Sequence, residues 1–198
     1  MIKVNKKIIN NKQGIVFWIT GLPGSGKTEI AKRFTKKIKK IYGPTLCISG
    51  DDVRRIFAVK GYTKKDRVLA GKKYIKFLSY LTNQKINVVF AVVGLFHELH
   101  SINRKKFSNY FEIYIKTNLM QLKKRRDKSF YKKKTKNVYG QDIKPEFPKR
   151  PHITIVNNFK KSLNEISNNL YKGNFGSLAT WTNDESIAKN EIKIISSV

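Results

Sequence analysis

Gly21-Leu22-Pro23-Gly24-Ser25-Gly26-Lys27-Thr28 satisfies G-x-x-x-x-G-K-[ST] at every fixed position. Residues of these types at this spacing bind polyphosphate. Glycines admit φ > 0 and close approach to an anion, so loop N–H groups and the start of a following helix converge on it. In such a loop Lys27 reaches the β- and γ-phosphates of ATP, and the Thr28 hydroxyl completes a Mg²⁺ shell. The same residues could form a glycine-rich turn that binds nothing, and context decides between the two. Here Ile15-Val16-Phe17-Trp18-Ile19 reads as a buried strand before the loop, and Glu29-Ile30-Ala31-Lys32-Arg33-Phe34 as a helix after it. A second candidate is Asp51, in Gly50-Asp51-Asp52-Val53-Arg54. At the end of a parallel strand an aspartate projects into the crevice where α/β sheets bind ligands, beside the phosphate loop of the neighbouring strand. There it can take the proton of an attacking hydroxyl or orient the Mg²⁺ shell. The alternative for either acid is a helix N-cap, a role that suits Asp52 better than Asp51.

The elements that must position these groups alternate between apolar runs and amphipathic ones, the pattern of βαβ units. After the first strand come a helix over about 26–40, a short strand over 44–49, a long helix over 64–84 and a buried strand over 86–93. A strand over 110–115 and a helix over 119–126 follow. Residues 127–151 are polar, basic and broken by Gly140, Pro145, Pro148 and Pro151, as in a lid. A strand over 152–156 and a helix over about 160–171 end the pattern. The expected fold is α/β: a P-loop three-layer sandwich with a mainly parallel five-stranded sheet and a basic lid. Residues 1–14 form a lead-in, 15–172 a kinase domain, and 173–198 a tail to which no role is assigned.

With 198 residues, 40% of them hydrophobic, the chain can bury a core of one domain. Cys47 is the single cysteine, so no intrachain disulfide is expected. No apolar run approaches the roughly 18 residues of a membrane span, and Met1–Gln13 lacks the long apolar segment of a secretory leader, which points to the cytoplasm. The formal net charge of +29 raises the question of nucleic acid. Yet the bases are 34 Lys against 8 Arg, spread along the chain, and Arg is the residue suited to bidentate base readout. A solvated lysine coat that attracts anionic nucleotides is the reading preferred.

Beyond the phosphate loop, the chain resembles the adenylyl-sulfate kinase family of P-loop kinases. The likeness is carried by Phe17-Trp18-Ile19-Thr20-Gly21 with its loop, Ile48 to Arg54, Gly61-Tyr62-Thr63-Lys64-Lys65-Asp66-Arg67, and Lys124-Arg125-Arg126-Asp127. Lys136 to Ile143, Pro148 and Asn157-Asn158 extend it, so it spans about residues 15–170. The resemblance implies transfer of the γ-phosphoryl of ATP to the ribose 3′-hydroxyl of adenosine 5′-phosphosulfate. It further implies that Arg54 and Arg67 hold the acceptor's anionic groups, as a guanidinium fork suits phosphate or sulfate oxygens. Tyr62 falls where the family stacks an aromatic on the acceptor base. Arg126, with Lys124 and Arg125, could neutralise the transferring group, a solvated helix end being the competing view.

The departures all lie on the acceptor side. Where the family carries Ser-Pro-Phe or Ser-Pro-Tyr, this chain has Gly94-Leu95-Phe96, which excludes phosphoserine chemistry at 94. The family's Asn-x-Arg-Arg appears as Ala70-Gly71-Lys72-Lys73, and the lid aromatic as Val138 with Tyr139 beside it. Leu95 to Glu98 followed by Asn103-Arg104, and Asn109 to Tyr114, match a branch that includes a cytidine diphosphoramidate kinase. The same chemistry on that acceptor is the alternative. His97, Glu98 and His100 lack a fourth ligand at a familiar spacing, so acceptor contact by His97 or Glu98 is preferred to a metal site. A nucleic-acid-binding P-loop protein and a nucleotide sensor without turnover are the readings from other classes. The expected partner is a small nucleotide, with no membrane, and pairing into a homodimer is left open.

Overall fold

Side-chain alternation along the first strand sets the layers. In the computed structural model, which describes residues 12–124, 137, 139 and 142–174, Val16 to Ile19 of β1 (Val16–Gly21) are completely buried. Phe17 and Ile19 point to one face of the sheet and Val16 and Trp18 to the other, as the period of two requires. Being buried on both faces, β1 must lie inside the sheet.

It does: β1 pairs in parallel with β3 (Asn87–Ala91) on one side and β4 (Tyr110–Lys116) on the other. The edges are β2 (Thr45–Ser49), beside β3, and β5 (Ile153–Val156), beside β4, so the parallel order is β2-β3-β1-β4-β5. On the Phe17 face lie α1 (Lys27–Tyr42) and α6 (Leu163–Asn174), with Ile30, Phe34 and Ile38 of α1 and Ile166 and Leu170 of α6 in one apolar cluster. Phe17 meets Phe34 edge-on at 5.3 Å and stacks on Phe111 at 5.6 Å. The Trp18 face is covered by α3 (Lys64–Asn83) and α4 (His97–Lys106), with contributions from α2 (Gly50–Ile56) and α5 (Leu119–Lys124). None of the described helices is long and apolar enough to cross a membrane.

The α/β class and the parallel five-stranded sheet agree with the sequence reading; three details do not. β2 does not neighbour β1, because β3 fills the slot between them. The carboxylate at 51 and the phosphate loop therefore converge across the end of β3. Gly50–Ile56 is a helix where only a strand end was read, and His97–Lys106 is a helix that the apolar pattern did not reveal.

β4 carries one charge into the interior: Glu112 is 1% exposed. Its Oε2 accepts from Arg104 Nη2, and His100 Nδ1 lies 3.2 Å from Oε1. Arg104 also donates to the Arg150 carbonyl at 2.5 Å, which ties α4 to the segment before β5. Glu112 is the buried member of this pair, so removing Arg104 leaves its carboxylate uncompensated in the interior. Arg104→Met should cost about 3 kcal/mol in urea unfolding, and the double replacement R104M/E112L should cost less than the single change.

Candidate active site

The phosphate loop is the turn between β1 and α1. Gly26 sits at the N-cap of α1 with φ 89° and ψ 5°, left-handed geometry that favours glycine, and no side chain caps the helix. A Cβ there would stand 3.3 Å from Asn157 Nδ2. The opening N–H groups of α1 are left to an external anion. Lys27 Nζ donates to the Leu22 carbonyl at 2.7 Å, and the Ser25 N–H to the same oxygen at 3.1 Å. Leu22 itself is in the core, and Ser25 is buried beneath the loop. From the far side Asn157 Nδ2 donates to the Ser25 carbonyl at 3.0 Å, while its Oδ1 accepts from the Phe159 N–H at 2.9 Å.

The loop opens into a cleft of about 1000 Å³. Gly24, Gly26, Lys27 and Thr28 line one end, and Asp51, Arg54, Tyr62, Arg67 and Phe96 line the rest. Thr28 and Asp51 are both exposed. Asp51 is placed by a capping box on α2. Ser49 Oγ accepts from the Asp52 N–H at 3.2 Å, and the Asp52 carboxylate accepts from the Ser49 N–H at 3.1 Å and its hydroxyl at 2.7 Å. Hydrogen bonds from Ser49, then Arg55, hold the Asp52 carboxyl below its usual range. The cap is thus Ser49, with Asp52 as its reciprocal partner rather than the cap itself. Asp51, one position earlier on α2, lies on the cleft wall.

Two guanidiniums line the cleft beyond the phosphate loop. Arg54 Nη1 donates to the carbonyls of Val59 and Gly61, both at 2.9 Å. Arg67 donates to the Tyr62 carbonyl at 2.8 Å and the Asn137 carbonyl at 2.9 Å. Both lie over the Tyr62 ring, at 4.3 Å and 5.2 Å from its centroid. Arg67 also lies 4.8 Å from the Tyr139 centroid, and Tyr139 packs on Phe96 at 5.5 Å. Burial pushes the Tyr139 hydroxyl far above its ordinary range and lowers Arg67 somewhat. Arg126 and Val138 lie outside the described residues.

Gly94 forms the turn between β3 and α4. Its φ is 45°, and a Cβ would sit 2.9 Å from Trp18 Cζ2. Its carbonyl accepts from the Phe96 N–H at 3.0 Å and meets His100 Nε2 at 2.8 Å. His97 meets the Phe147 carbonyl, its N–H donates to Glu146, and Glu98 pairs with Lys72 at 2.5 Å. Neither His97 nor Glu98 lines the cleft, and no cluster of three or more His, Cys, Asp or Glu suited to a metal occurs among the described residues. Sequence reasoning missed Trp18, Tyr74, Phe159, Lys161 and Ser162 as cleft residues and the latch made by Asn157. Of these only Trp18 and Asn157 stand in stretches that carry the family likeness, and neither was given a role there.

The Adenylylsulphate kinase family model matches residues 13–156. A cytidine diphosphoramidate kinase from Campylobacter jejuni is 35% identical over 147 residues, covering 72% of this chain and 85% of that protein. An adenylyl-sulfate kinase from Clostridium acetobutylicum is 29% identical over 157 residues, 76% of this chain and 78% of its own. An APS kinase from Mycobacterium tuberculosis, solved with AMPPNP and APS, superimposes with a TM-score of 0.71 at 23% identity, covering 80% of this chain and 95% of that one, a likeness of fold. The serine that the resemblance expects at 94 meets both a left-handed backbone and the Trp18 ring here. Gly94→Ser should therefore destabilise by about 1–3 kcal/mol in thermal unfolding, with no gain of turnover.

Proposed function

The chain belongs to the adenylylsulphate kinase family, and we propose that it transfers the γ-phosphoryl group of ATP to the ribose 3′-hydroxyl of a nucleotide. One observation carries this reading: an uncapped helix start with Lys27, a carboxylate at Asp51 and the Arg54–Arg67 pair share a single cleft. The loop amides and Lys27 hold the β- and γ-phosphates. Thr28 and Asp51 both line the cleft and present oxygens, the donor type that Mg²⁺ takes, so the lining fits that ion. Bound there, magnesium would neutralise charge on the phosphate oxygens.

Asp51 orients the 3′-hydroxyl and accepts its proton as the oxygen bonds to the γ-phosphorus. The bond from that phosphorus to the β-phosphate bridging oxygen breaks, and ADP leaves. Arg54 and Arg67 grip the acceptor's 5′ tail, and Tyr62, Phe96 and Tyr139 border its base. Arg126 would neutralise the transferring group and Val138 would close over the base from the lid, 127–151. Encounter with the anionic nucleotides is favoured by the lysine-rich surface, with no nucleic acid required.

For the acceptor, adenosine 5′-phosphosulfate is the reading supported by the family as a whole, since relatives named adenylyl-sulfate kinase match most of the chain. Cytidine diphosphoramidate is a second reading, favoured by the 35% identity to a kinase of that name and by the replaced residues at 70–73 and 94. Both are ribonucleotides with a diphosphate-like anionic tail.

Lys27→Ala should reduce turnover below detection while leaving the melting temperature within a few degrees of wild type. Measurable phosphoryl transfer by that variant would refute the role given to Lys27. ADP release measured in parallel with adenosine 5′-phosphosulfate, cytidine diphosphoramidate and simple sugars should select a nucleotide. Preference for a sugar would overturn the reading.

A further inference from the structure

The wall that α3 presents to the cleft is small and apolar where the resemblance expects an amide. Ala70 and Gly71 line it, and Lys72 is engaged with Glu98. Gly71 has no room to grow, since a Cβ would stand 2.4 Å from Leu99 Cδ1. One helical turn beyond Ala70, on the same face, comes Tyr74. It also lines the cleft, is 4% exposed, and sets its ring edge-on to Phe90 at 6.0 Å. Its hydroxyl is buried and meets no hydrogen-bond partner among the described residues.

Native structures hold few such groups, and those they do hold call for an explanation. The charges that act on this hydroxyl are those of the cleft: Arg54, Asp51 and Arg67. Burial raises its pKa, so the oxygen keeps its proton and remains a donor at neutral pH. A fixed donor near a carboxylate and two guanidiniums, with no acceptor for its proton among the described residues, is matched to an oxygen of a bound molecule.

We propose that Tyr74 is a specificity-determining residue of the acceptor site, its hydroxyl donating a hydrogen bond to an oxygen of the acceptor's ribose–phosphate portion. This rests on the nucleotide-kinase reading above. The donor that the resemblance places at 70 is supplied from one turn further along α3, and the small residues at 70 and 71 leave the acceptor room to reach it.

Tyr74→Phe in the full-length enzyme removes only the oxygen. With ATP saturating and the acceptor that wild type uses, kcat/KM for the acceptor should fall about tenfold. The KM for ATP should stay unchanged. The unliganded melting temperature should hold or rise, because a buried hydroxyl without a partner is lost. Unchanged acceptor kcat/KM, or a lowered melting temperature with acceptor KM intact, would show a structural hydroxyl and overturn the inference. Wild type that phosphorylates no nucleotide would instead sink the underlying kinase reading, and this inference with it.

Discussion

Four N–H groups at the start of a helix have no partner inside that helix, and a protein must cap them or use them. At α1 the N-cap is glycine, which offers no side-chain acceptor. Much of the rest serves to hold those groups open. β1 lies at the centre of the sheet and is buried on both faces, so the loop leaves from a strand enclosed on every side. Lys27 is folded onto the Leu22 carbonyl, and Asn157 bonds the Ser25 carbonyl from the strand end two places away in the sheet. The carbonyls of Leu22 and Ser25 are thereby engaged from within the protein, and the start of α1, with no side-chain cap, is left to receive a ligand. That division fits an anion and disfavours a cation in the cradle.

The opposite wall is assembled differently, from three segments distant in sequence. The Gly94 turn rests on Trp18, and its carbonyl meets His100, which in turn lies beside the buried Glu112 carboxylate and its partner Arg104. Charge from the interior of β4 thus fixes a turn at the mouth of the cleft. Glu146 adds a third tie, accepting from the His97 N–H and pairing with Lys64 at 2.7 Å, and its own N–H donates to the Leu95 carbonyl. A wall held by so many unlike contacts can change shape when any one residue changes.

This asymmetry explains what could be read in the sequence. The loop was legible because its chemistry is local: eight consecutive residues between an apolar strand and a helix make the whole device. The buried strands β1, β3 and β4 were legible because apolar runs of that length have few other uses. Helix α4 was not, because His97–Lys106 starts without a side-chain cap and carries just Leu99 and Ile102 as aliphatic residues. The place of β2 was misread because strand order depends on crossovers, which no local pattern encodes. Tyr74 and the latch role of Asn157 escaped notice because each acts across 20 or more residues of chain, Tyr74 toward Asp51 and Asn157 toward Ser25.

The two arginines of the acceptor end have their donors fixed by backbone carbonyls, two for Arg54 and two for Arg67, rather than by carboxylates. The difference matters electrostatically. A carboxylate partner would orient a guanidinium but cancel its charge, and the cleft would then offer geometry without attraction. A carbonyl orients it and leaves the full positive charge, so the rotamer entropy is lost at folding instead of at binding. Stacking over Tyr62 does the same, since a ring face steadies a cation without neutralising it. The cost falls on Arg67, whose pKa is lowered by burial first and also by the nearby charge of Arg54. An acceptor with two anionic groups on its tail relieves that strain on arrival. A neutral sugar would leave it in place, which is the physical ground for expecting this cleft to discriminate by charge before it discriminates by base.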